Sequence, residues 1–338
     1  MGKDKIAVVI LNWNGSEMLH TFLPSVVSNS TEAVIYVADN ASSDNSLEVL
    51  EKDFPTVRRI VLDKNYGFAE GYNLALKQVE AEYYVLLNSD VEVTPNWLKP
   101  MYTYLDEHPE TVACQPKIRN WRKKEEFEYA GACGGFLDSY GYPFCRGRLM
   151  STVEKDSGQY DTIAPIFWAS GAALFIRSQI YWEAGGLDGR FFAHMEEIDL
   201  CWRLNSRGYS LVCIPQSIVY HVGGATLKKE NPRKTFLNFR NNLIMIYKNS
   251  SNDEMRKVLN VRCMLDYVAA FTFLLKGQFP NAKAVIEARK EFKKKVPDFT
   301  AARLLNLSKI PKTSKSELSK GSILVKYYLG RKHKYSDL

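Results

Sequence analysis

The chain has 338 residues, of which 46% are hydrophobic and 25% are charged. This is the balance of a globular protein with a large core, and it excludes a disordered or fibrous chain. The net charge of +7 is uneven, since residues 281–338 hold 15 Lys and Arg against 5 Asp and Glu, which leaves 30 against 33 for the preceding residues. The basic tail indicates contact with an anionic surface.

The first hundred residues alternate short apolar runs with helical patterns. The apolar runs predict four strands, at Ile6–Leu11, Ala33–Ala38, Arg59–Leu62 and Tyr83–Leu87. The stretches between them predict helices near residues 16–28, 44–53 and 70–80. Strands spaced by single helices form βαβ units, which predict an α/β fold: a mostly parallel sheet with helices on both faces. Ligands of such sheets bind beyond the carboxyl ends of the strands.

Small polar residues follow each predicted strand. Asn12 follows the first predicted strand and Asp39 follows the second. The segment that leads to Asn65 and Gly67 follows the third, and Asn88-Ser89-Asp90 follows the fourth. We expect these turns to form one rim of a ligand site. An acid at a strand end beside substrate phosphates suits Mg²⁺ or Mn²⁺, although Asn, Ser and Asp are also ordinary turn residues.

Two acids after the second strand allow alternative interpretations. Asp39 can accept hydrogen bonds from a nucleotide, and Asp44 can either do the same or cap the helix that follows. We assign Asp39 to the ligand and Asp44 to capping.

The chain from 110 to 230 is less regular, and one clear helix is predicted from about His194 to Arg207, ending at Gly208. Residues 214–221 predict a last short strand, residues 232–276 predict helices, and the tail from 281 is Lys-rich and weakly helical.

Three acids, Glu196, Glu197 and Asp199, open the predicted helix after the aromatic segment 185–192. The helix dipole favours acids there, and Asp199 can pair with Arg203, so the cluster can be structural. Alternatively, a carboxylate beside an aromatic surface can have a raised pKa and act as a general base.

These motifs, in this order, resemble glycosyltransferase family 2, the inverting transferases of the GT-A fold, and in particular its bacterial rhamnosyltransferase-like members. The resemblance covers about residues 5 to 250 and rests on seven segments: Val9–Gly15, Asp39–Asp44, Asn65–Asn73, Leu86–Asp90, Gly185–Phe192, Glu197–Arg203 and His221–Gly224. It implies a catalytic domain over 1–230, with a nucleotide-sugar-binding half (1–110) and an acceptor half (111–230), and a helical basic extension over 231–338.

On the donor side, the resemblance implies that Asp39 contacts the nucleobase of a nucleoside-diphosphate sugar. Asn73 and the loop of Asn65 and Gly67 would line the nucleotide pocket, and we count Asn12 among the donor-binding residues.

The metal site implied by the resemblance lies at Asn88-Ser89-Asp90, where the family has its Asp-x-Asp motif. Asp90 would be the retained ligand of Mg²⁺ or Mn²⁺, and Asn88 either a neutral ligand or a neighbour of the ligands. His221 resembles the histidine that completes the metal site in some members, although a lone His after a strand can also be structural.

On the acceptor side, the resemblance implies that Trp168, Ser170, Gly171 and Ala172 form the floor of the acceptor and sugar pocket. Glu197 stands where the family usually has an aspartate base. The adjacent Glu196 can fill the same role, and we favour Glu197.

The resemblance predicts an inverting transfer of a sugar from dTDP-rhamnose or a UDP-hexose to a hydroxyl of a cell-surface glycan or lipid-linked acceptor. The alternative is a non-catalytic nucleotide-sugar or glycan-binding relative at the membrane, which the departures at Asn88 and Glu197 motivate. A dinucleotide oxidoreductase is excluded because the first strand is not followed by Gly-x-Gly-x-x-Gly.

Location is predicted from several weak signals. The six cysteines lack zinc-site spacing, the Met1-Gly2 start does not continue as a myristoylation signal, and no run of 18 apolar residues predicts a spanning helix. We expect a cytoplasmic protein that binds no nucleic acid. The apolar run Tyr267–Leu275 predicts either core packing or an interfacial helix, and with the basic tail it favours peripheral contact of residues 258–338 with the inner face of the plasma membrane. A solvated Lys-rich helical bundle is the alternative.

Overall fold

The computed structural model describes residues 4–223, 231–311 and 318–338. Gly224 of the last family segment and the Met1-Gly2 start lie outside the described residues. The strands of the first half are β1 (Asp4–Asn12), β2 (Val34–Asp39), β3 (Arg58–Val61), β4 (Ala81–Asn88), β5 (Val91–Val93) and β6 (Thr111–Asn120). The later strands are β7 (Gly135–Leu137), β8 (Pro143–Cys145), β9 (Arg148–Leu149), β10 (Thr152–Val153), β11 (Ala164–Pro165), β12 (Ala173–Arg177) and β13 (Ser210–His221).

The helices of the sheet-forming part are α1 (Ser16–Asn29), α2 (Ser46–Asp53), α3 (Gly67–Leu76), α4 (Lys99–Glu107), α5 (Ser178–Glu183) and α6 (Glu196–Ser206). The helices that follow are α7 (Pro232–Asn249), α8 (Asn252–Leu275), α9 (Phe279–Ser308) and α10 (Ile323–Tyr328).

The central sheet has the order β11-β13-β6-β12-β4-β1-β2-β3, with β5 paired to β13. The β4-β1-β2-β3 half is parallel, while β12 runs antiparallel to both β4 and β6. The predicted α/β class is therefore confirmed: the sheet is parallel in its first half and mixed in its second.

The strand register brings the predicted rim residues together. Asn12 is the neighbour of Asp39 across β1 and β2, and Leu11 is the neighbour of Asn88 across β1 and β4. On the other side of β4, Leu87 pairs with Ala173, so the segment before β12 begins at the same edge. Because parallel strands end at one edge of a sheet, three polar turns and the 170–172 segment share a single cleft.

Helices cover both faces of the sheet, and alternate side chains of a strand pack into different cores. Along β1, Ala7 and Val9 belong to one buried cluster, and Val8 and Ile10 to the other. This is the period of two that a strand buried on both faces requires.

The predicted helix around the acidic cluster begins later than expected, at Glu196 rather than at His194. The reason is the backbone before it, since Phe192, His194 and Met195 have φ values of 68°, 72° and 74°. Left-handed backbone cannot continue an α-helix, and it is costly for residues with side chains.

The C-terminal extension is helical, as predicted, and its tail is more regular than the sequence indicates. Residues Phe279–Ser308 form one helix of 30 residues, α9, which packs along α7. Within the described residues, one helix, α8, is long and apolar enough to cross a membrane by length and composition. No spanning helix is expected from the sequence because Arg262 and Asp266 interrupt its apolar run.

Candidate active site

The end of β1 and the end of β2 are tied together by side-chain hydrogen bonds. The Asn12 amide donates to a carboxylate oxygen of Asp39 at 3.1 Å and to the Ser42 hydroxyl at 3.3 Å, and the other Asp39 oxygen accepts from the Ser42 backbone N–H at 2.8 Å. Asp39 and Asn12 are buried, and the side-chain oxygen of Asn12 has no hydrogen-bond partner. The turn is thus preorganised around an acid, as expected for one wall of a ligand site.

Asp44 caps helices, in agreement with its assignment. Its two carboxylate oxygens accept hydrogen bonds from the backbone N–H groups of Ser16 and Ser46, at 3.0 Å and 3.1 Å. Those residues are the first of α1 and α2, so one side chain serves two helix N-termini.

A second wall is built around Asn65 and Gly67. The Asn65 side-chain oxygen accepts from the Gly67 N–H at 2.8 Å, and Asn40 bonds to both residues. Gly67 has a φ of 74°, and a Cβ there would meet the Phe192 ring at 2.5 Å. The Phe192 carbonyl in turn accepts from the N–H of Phe68 at 2.7 Å. Only glycine fits this close approach, which joins the 65–67 loop to the segment before α6.

The side chain of Asn73 forms its hydrogen bonds with other residues of the protein. Its amide donates to the Leu187 carbonyl at 2.7 Å, and its oxygen accepts from the Tyr181 hydroxyl at 2.7 Å and from the Leu187 N–H at 3.1 Å. Asn73 therefore holds the loop that leads to the acidic helix. Its contact with a nucleotide stays a prediction, and these bonds lend it no support.

Asp90 lies in a buried ion pair with His221. One carboxylate oxygen of Asp90 is 3.1 Å from His221 Nε2, the Asn88 amide is 3.3 Å from the same nitrogen, and Glu128 lies 3.5 Å from His221 Nδ1. Burial alone lowers the pKa of His221, but the two flanking carboxylates raise it to about 10. Burial raises the pKa of Asp90, and the positive charge of His221 outweighs this and lowers it.

The chemistry of these donors fits a hard divalent cation. A carboxylate oxygen and an imidazole nitrogen that has lost its proton, with an amide beside them, are ligands that Mn²⁺ accepts, so metal binding would have to displace the proton of His221. Among the described residues no group of three or more His, Cys, Asp or Glu side chains could hold a metal. Asp90 and His221 can therefore contribute only part of a coordination sphere, and phosphate and water oxygens would have to complete it.

The segment 168–172 connects this metal-motif turn to the acidic helix. The Asn88 N–H donates to the Ala172 carbonyl at 3.0 Å, and a Cβ on Gly171 would lie 3.8 Å from the Cβ of Glu197 and 3.5 Å from the Phe68 ring. The Ser170 hydroxyl donates to the Ala130 carbonyl at 2.9 Å. Trp168 is buried against Gly135, and its indole N–H donates to Phe136 at 2.9 Å. Gly171 and Ala172 thus lie between Asn88 and Glu197, while Trp168 packs in the core.

The first turn of α6 holds two carboxylates that each have one oxygen without a hydrogen-bond partner. One carboxylate oxygen of Glu196 and one of Glu197 are buried and accept no hydrogen bond. Burial raises the pKa of Glu197 to about 7, and burial together with the neighbouring Glu197 charge raises the pKa of Glu196 well above its usual value. Buried polar groups normally find partners, so unpaired acids next to a cleft indicate groups kept free for a substrate.

Asp199, three residues after Glu196, has the opposite surroundings. It accepts hydrogen bonds from Arg203 at 3.1 Å, Lys248 at 2.8 Å and Asn249 at 2.8 Å. Lys248 also donates to Asp188 at 2.7 Å. The predicted pairing of Asp199 with Arg203 is confirmed, and the acid is structural, since it joins α6 to α7 and, through Lys248, to Asp188.

The left-handed segment before α6 is held by one side chain of α7. The amide of Asn241, which is fully buried, donates to the carbonyls of Phe191, Ala193 and His194 at 3.0, 2.8 and 2.8 Å. These bonds offset the cost of the backbone strain there. Sequence reasoning found no role for the Arg240-Asn241-Asn242 segment, because nothing local in it indicates a contact almost fifty residues back.

The comparisons with known proteins agree with this geometry. Residues 7–146 match the family model described as glycosyl transferase family 2. An N-acetylglucosaminyl-diphospho-decaprenol L-rhamnosyltransferase of Mycobacterium tuberculosis is 26% identical over an alignment of 238 residues, and the match covers 64% of this chain and 76% of that protein. Residues 7–146 thus match glycosyltransferase family 2, the family that the sequence motifs resemble. The predicted enzyme class, a glycosyltransferase, is thereby confirmed.

Two solved structures show that the chain has the GT-A fold. A structure of GalNAc-T7 with UDP, GalNAc and Mn²⁺ has a TM-score of 0.58 at 14% identity, covering 92% of this chain and 59% of that one. The mannosyltransferase PcManGT of Pyrobaculum calidifontis, solved with GDP-Man and Mn²⁺, has a TM-score of 0.52 at 11% identity, covering 91% and 85%.

Proposed function

We propose that the protein catalyses the inverting transfer of a sugar from a nucleoside-diphosphate donor to a hydroxyl of a glycan or lipid-linked acceptor, with Glu197 as the general base. The observation that carries the proposal is the unpaired, buried carboxylate of Glu197 next to Gly171, across a short segment from the Asn88–Asp90 turn. A catalytic base must be within reach of the reacting hydroxyl and have a pKa near the working pH.

Glu197 would take the proton of the acceptor hydroxyl while the oxygen of that hydroxyl attacks the anomeric carbon from the face opposite to the leaving diphosphate. A pKa near 7 leaves Glu197 substantially ionised at neutral pH and still able to hold the proton it receives. Burial and the neighbouring Glu197 charge raise the pKa of Glu196, so these surroundings disfavour a second negative charge in the same helical turn.

The donor would bind along the rim formed by Asn12, Asp39 and the 65–67 loop. Asp90 and His221, with Asn88 beside them, would hold Mg²⁺ or Mn²⁺ against the diphosphate. When bound, the metal would neutralise charge on the departing diphosphate. Support comes from the buried Asp90–His221 pair and from structural neighbours solved with Mn²⁺ and a nucleotide or nucleotide sugar.

The donor sugar is proposed to be rhamnose from dTDP-rhamnose, with a UDP-hexose as the alternative. The relative from Mycobacterium tuberculosis is a rhamnosyltransferase named for a decaprenol-linked substrate. A lipid-linked acceptor would in turn require the enzyme to work at a membrane surface, and we propose that residues 258–338 provide peripheral contact on its cytoplasmic side.

Thermal-shift titration with UDP, dTDP and GDP, each with and without Mn²⁺, tests the proposal. One nucleotide should stabilise the protein, and the stabilisation should depend on Mn²⁺ and be lost in Asp90→Asn. At a ligand concentration of 100 times Kd, binding adds about 2.7 kcal/mol to the free energy of unfolding. Metal-dependent binding without any transfer to acceptor would favour the non-catalytic alternative, and no nucleotide effect would contradict both.

A further inference from the structure

In residues 258–275 of helix α8, the charged side chains face the protein and most of the exposed side chains are apolar. From residue 258 to 275 its charged side chains are Arg262 and Asp266, and both are buried. Its exposed side is almost entirely apolar, being formed by Met264, Tyr267, Val268, Phe271, Leu274 and Leu275. This is the reverse of an ordinary amphipathic helix on a soluble protein.

The exposed apolar side chains form one stripe. Positions 264, 267, 268, 271 and 275 follow the i, i+3, i+4, i+7, i+11 spacing of one helix face. Phe271 and Leu275 are 60% and 73% exposed, and Phe279, which begins α9, continues the exposure at 66%. A contiguous apolar patch of this kind on a soluble protein marks an interaction surface.

The opposite side of α8 is locked into the protein. Arg262 donates to the Tyr140 carbonyl at 3.1 Å and lies 4.0 Å from the centre of the Tyr142 ring, and it also bonds to Asn242. Arg289 of α9 donates to Asp266 at 2.5 Å. Moving α8 across a bilayer would break these bonds and carry two charges into hydrocarbon, so the helix fits the plane of a membrane surface and not its interior.

Charge decides between a bilayer and a second copy of the chain as the partner. From residue 276 to 294, just after α8 and along α9, five lysines and one glutamate are exposed: Lys276, Lys283, Lys290, Lys293, Lys294 and Glu287. Anionic headgroups would neutralise this charge, whereas a second copy of the same surface would bring like charges together.

We infer that the stripe from Met264 to Phe279 inserts into the interface of an anionic lipid bilayer while the lysines of α9 contact its headgroups. This stripe would be the membrane-contacting surface of the proposed function, and its role in reaching a lipid-linked acceptor rests on that proposed function. A lipid-linked acceptor would thereby be met at the bilayer by an enzyme already held there.

Vesicle co-sedimentation of the full chain tests the inference. We expect strong association with phosphatidylcholine–phosphatidylglycerol vesicles and weak association with pure phosphatidylcholine. Phe271→Ser with Leu275→Ser should weaken the association at least about tenfold, because each change removes the favourable free energy of moving a large apolar side chain from water into the bilayer. The matched control is Val61→Ser with Ile163→Ser, which removes exposed apolar side chains elsewhere and should leave the association unchanged.

Further arms separate the alternatives. Changing Lys290, Lys293 and Lys294 to Gln should remove the preference for phosphatidylglycerol. Equal loss of vesicle association in the two serine double variants would overturn the inference. It would also be overturned if the parent protein bound no vesicles and instead formed a concentration-dependent dimer that Phe271→Ser/Leu275→Ser abolishes. Binding of donor nucleotide is measured in parallel: its retention in the variants separates failure of the surface from failure of the proposed function.

Discussion

The acidic side chains of the proposed donor side and of the proposed acceptor side differ in their hydrogen-bond partners. At the donor side, Asp39 has hydrogen-bond partners on both oxygens, and Asp90 is paired with His221. At the acceptor side, Glu196 and Glu197 each have a buried oxygen without a partner, although Asp199 on the same helix has three. The contrast is what the proposed function requires: a rigid site for the donor, and a carboxylate oxygen in the first turn of α6 that is free to accept a proton.

The largest expected effect comes from the paired acid. Asp199→Ala leaves Lys248 and Arg203 buried without their common partner, and removing one member of such a network costs about 3–5 kcal/mol. We expect this loss in the free energy of unfolding, measured by urea denaturation. Glu197→Ala is the matched control on the same helix and should lose far less. Equal losses would mean that the two acids do not differ in the way described.

A change on the donor side should reduce turnover. Asp90→Asn removes the charge of the proposed metal ligand, and we expect turnover with Mn²⁺ to fall at least about 10²-fold, because the leaving diphosphate would lose its charge compensation. Steady-state kinetics measure this. Asp44→Asn is the control, since Asp44 caps two helices: it should cost about 1 kcal/mol of stability and leave turnover near the parent value. If Asp44→Asn lowered turnover as much, Asp44 would be a ligand after all.

A smaller effect is expected from the residue that positions the acidic turn. Asn241→Ala releases the carbonyls of Phe191, Ala193 and His194, so the base would be less well placed, and we expect kcat to fall about tenfold with the donor KM little changed. Asn242→Ala is a matched control, because this buried amide bonds to Gly141 and Arg262, contacts the segment before α6 only through the Met195 sulfur at 4.0 Å, and bonds to none of the three carbonyls. It should lose stability without the selective loss of kcat. A similar kcat in both variants would assign Asn241 a purely structural role.

The sequence predicts well that the strand ends of the proposed donor side lie together, because the determinants of this arrangement are local. Each of Asn12, Asp39 and Asn88 ends a strand, and parallel strands that are neighbours bring their ends together without further information. The acceptor side depends on distant partners. Three acids at one helix start look alike in the sequence, and Asp199 differs from Glu197 only because Lys248 and Asn249 of α7 reach it.

Helix α8 illustrates a different limit of sequence reasoning. Its apolar periodicity indicates a stripe, but periodicity does not say which side faces the protein. The buried pairing of Arg262 and Asp266 with residues of α7, α9 and the β7–β8 loop turns the apolar side outward. Both the core-packing and the interfacial interpretations were therefore open until the contacts were known.

The pH dependence of kcat/KM in the parent and in Glu197→Gln tests the central claim most directly. The pKa of Glu197 in the folded protein is about 7, and the base must be ionised to act, so parent activity should be full above pH 7 and fall about tenfold per unit below it. Glu197→Gln should be at least about 10²-fold slower above pH 7, bind donor nucleotide normally, and lose this pH dependence. A variant with the parent's rate and the same acidic limb would show that another group removes the proton.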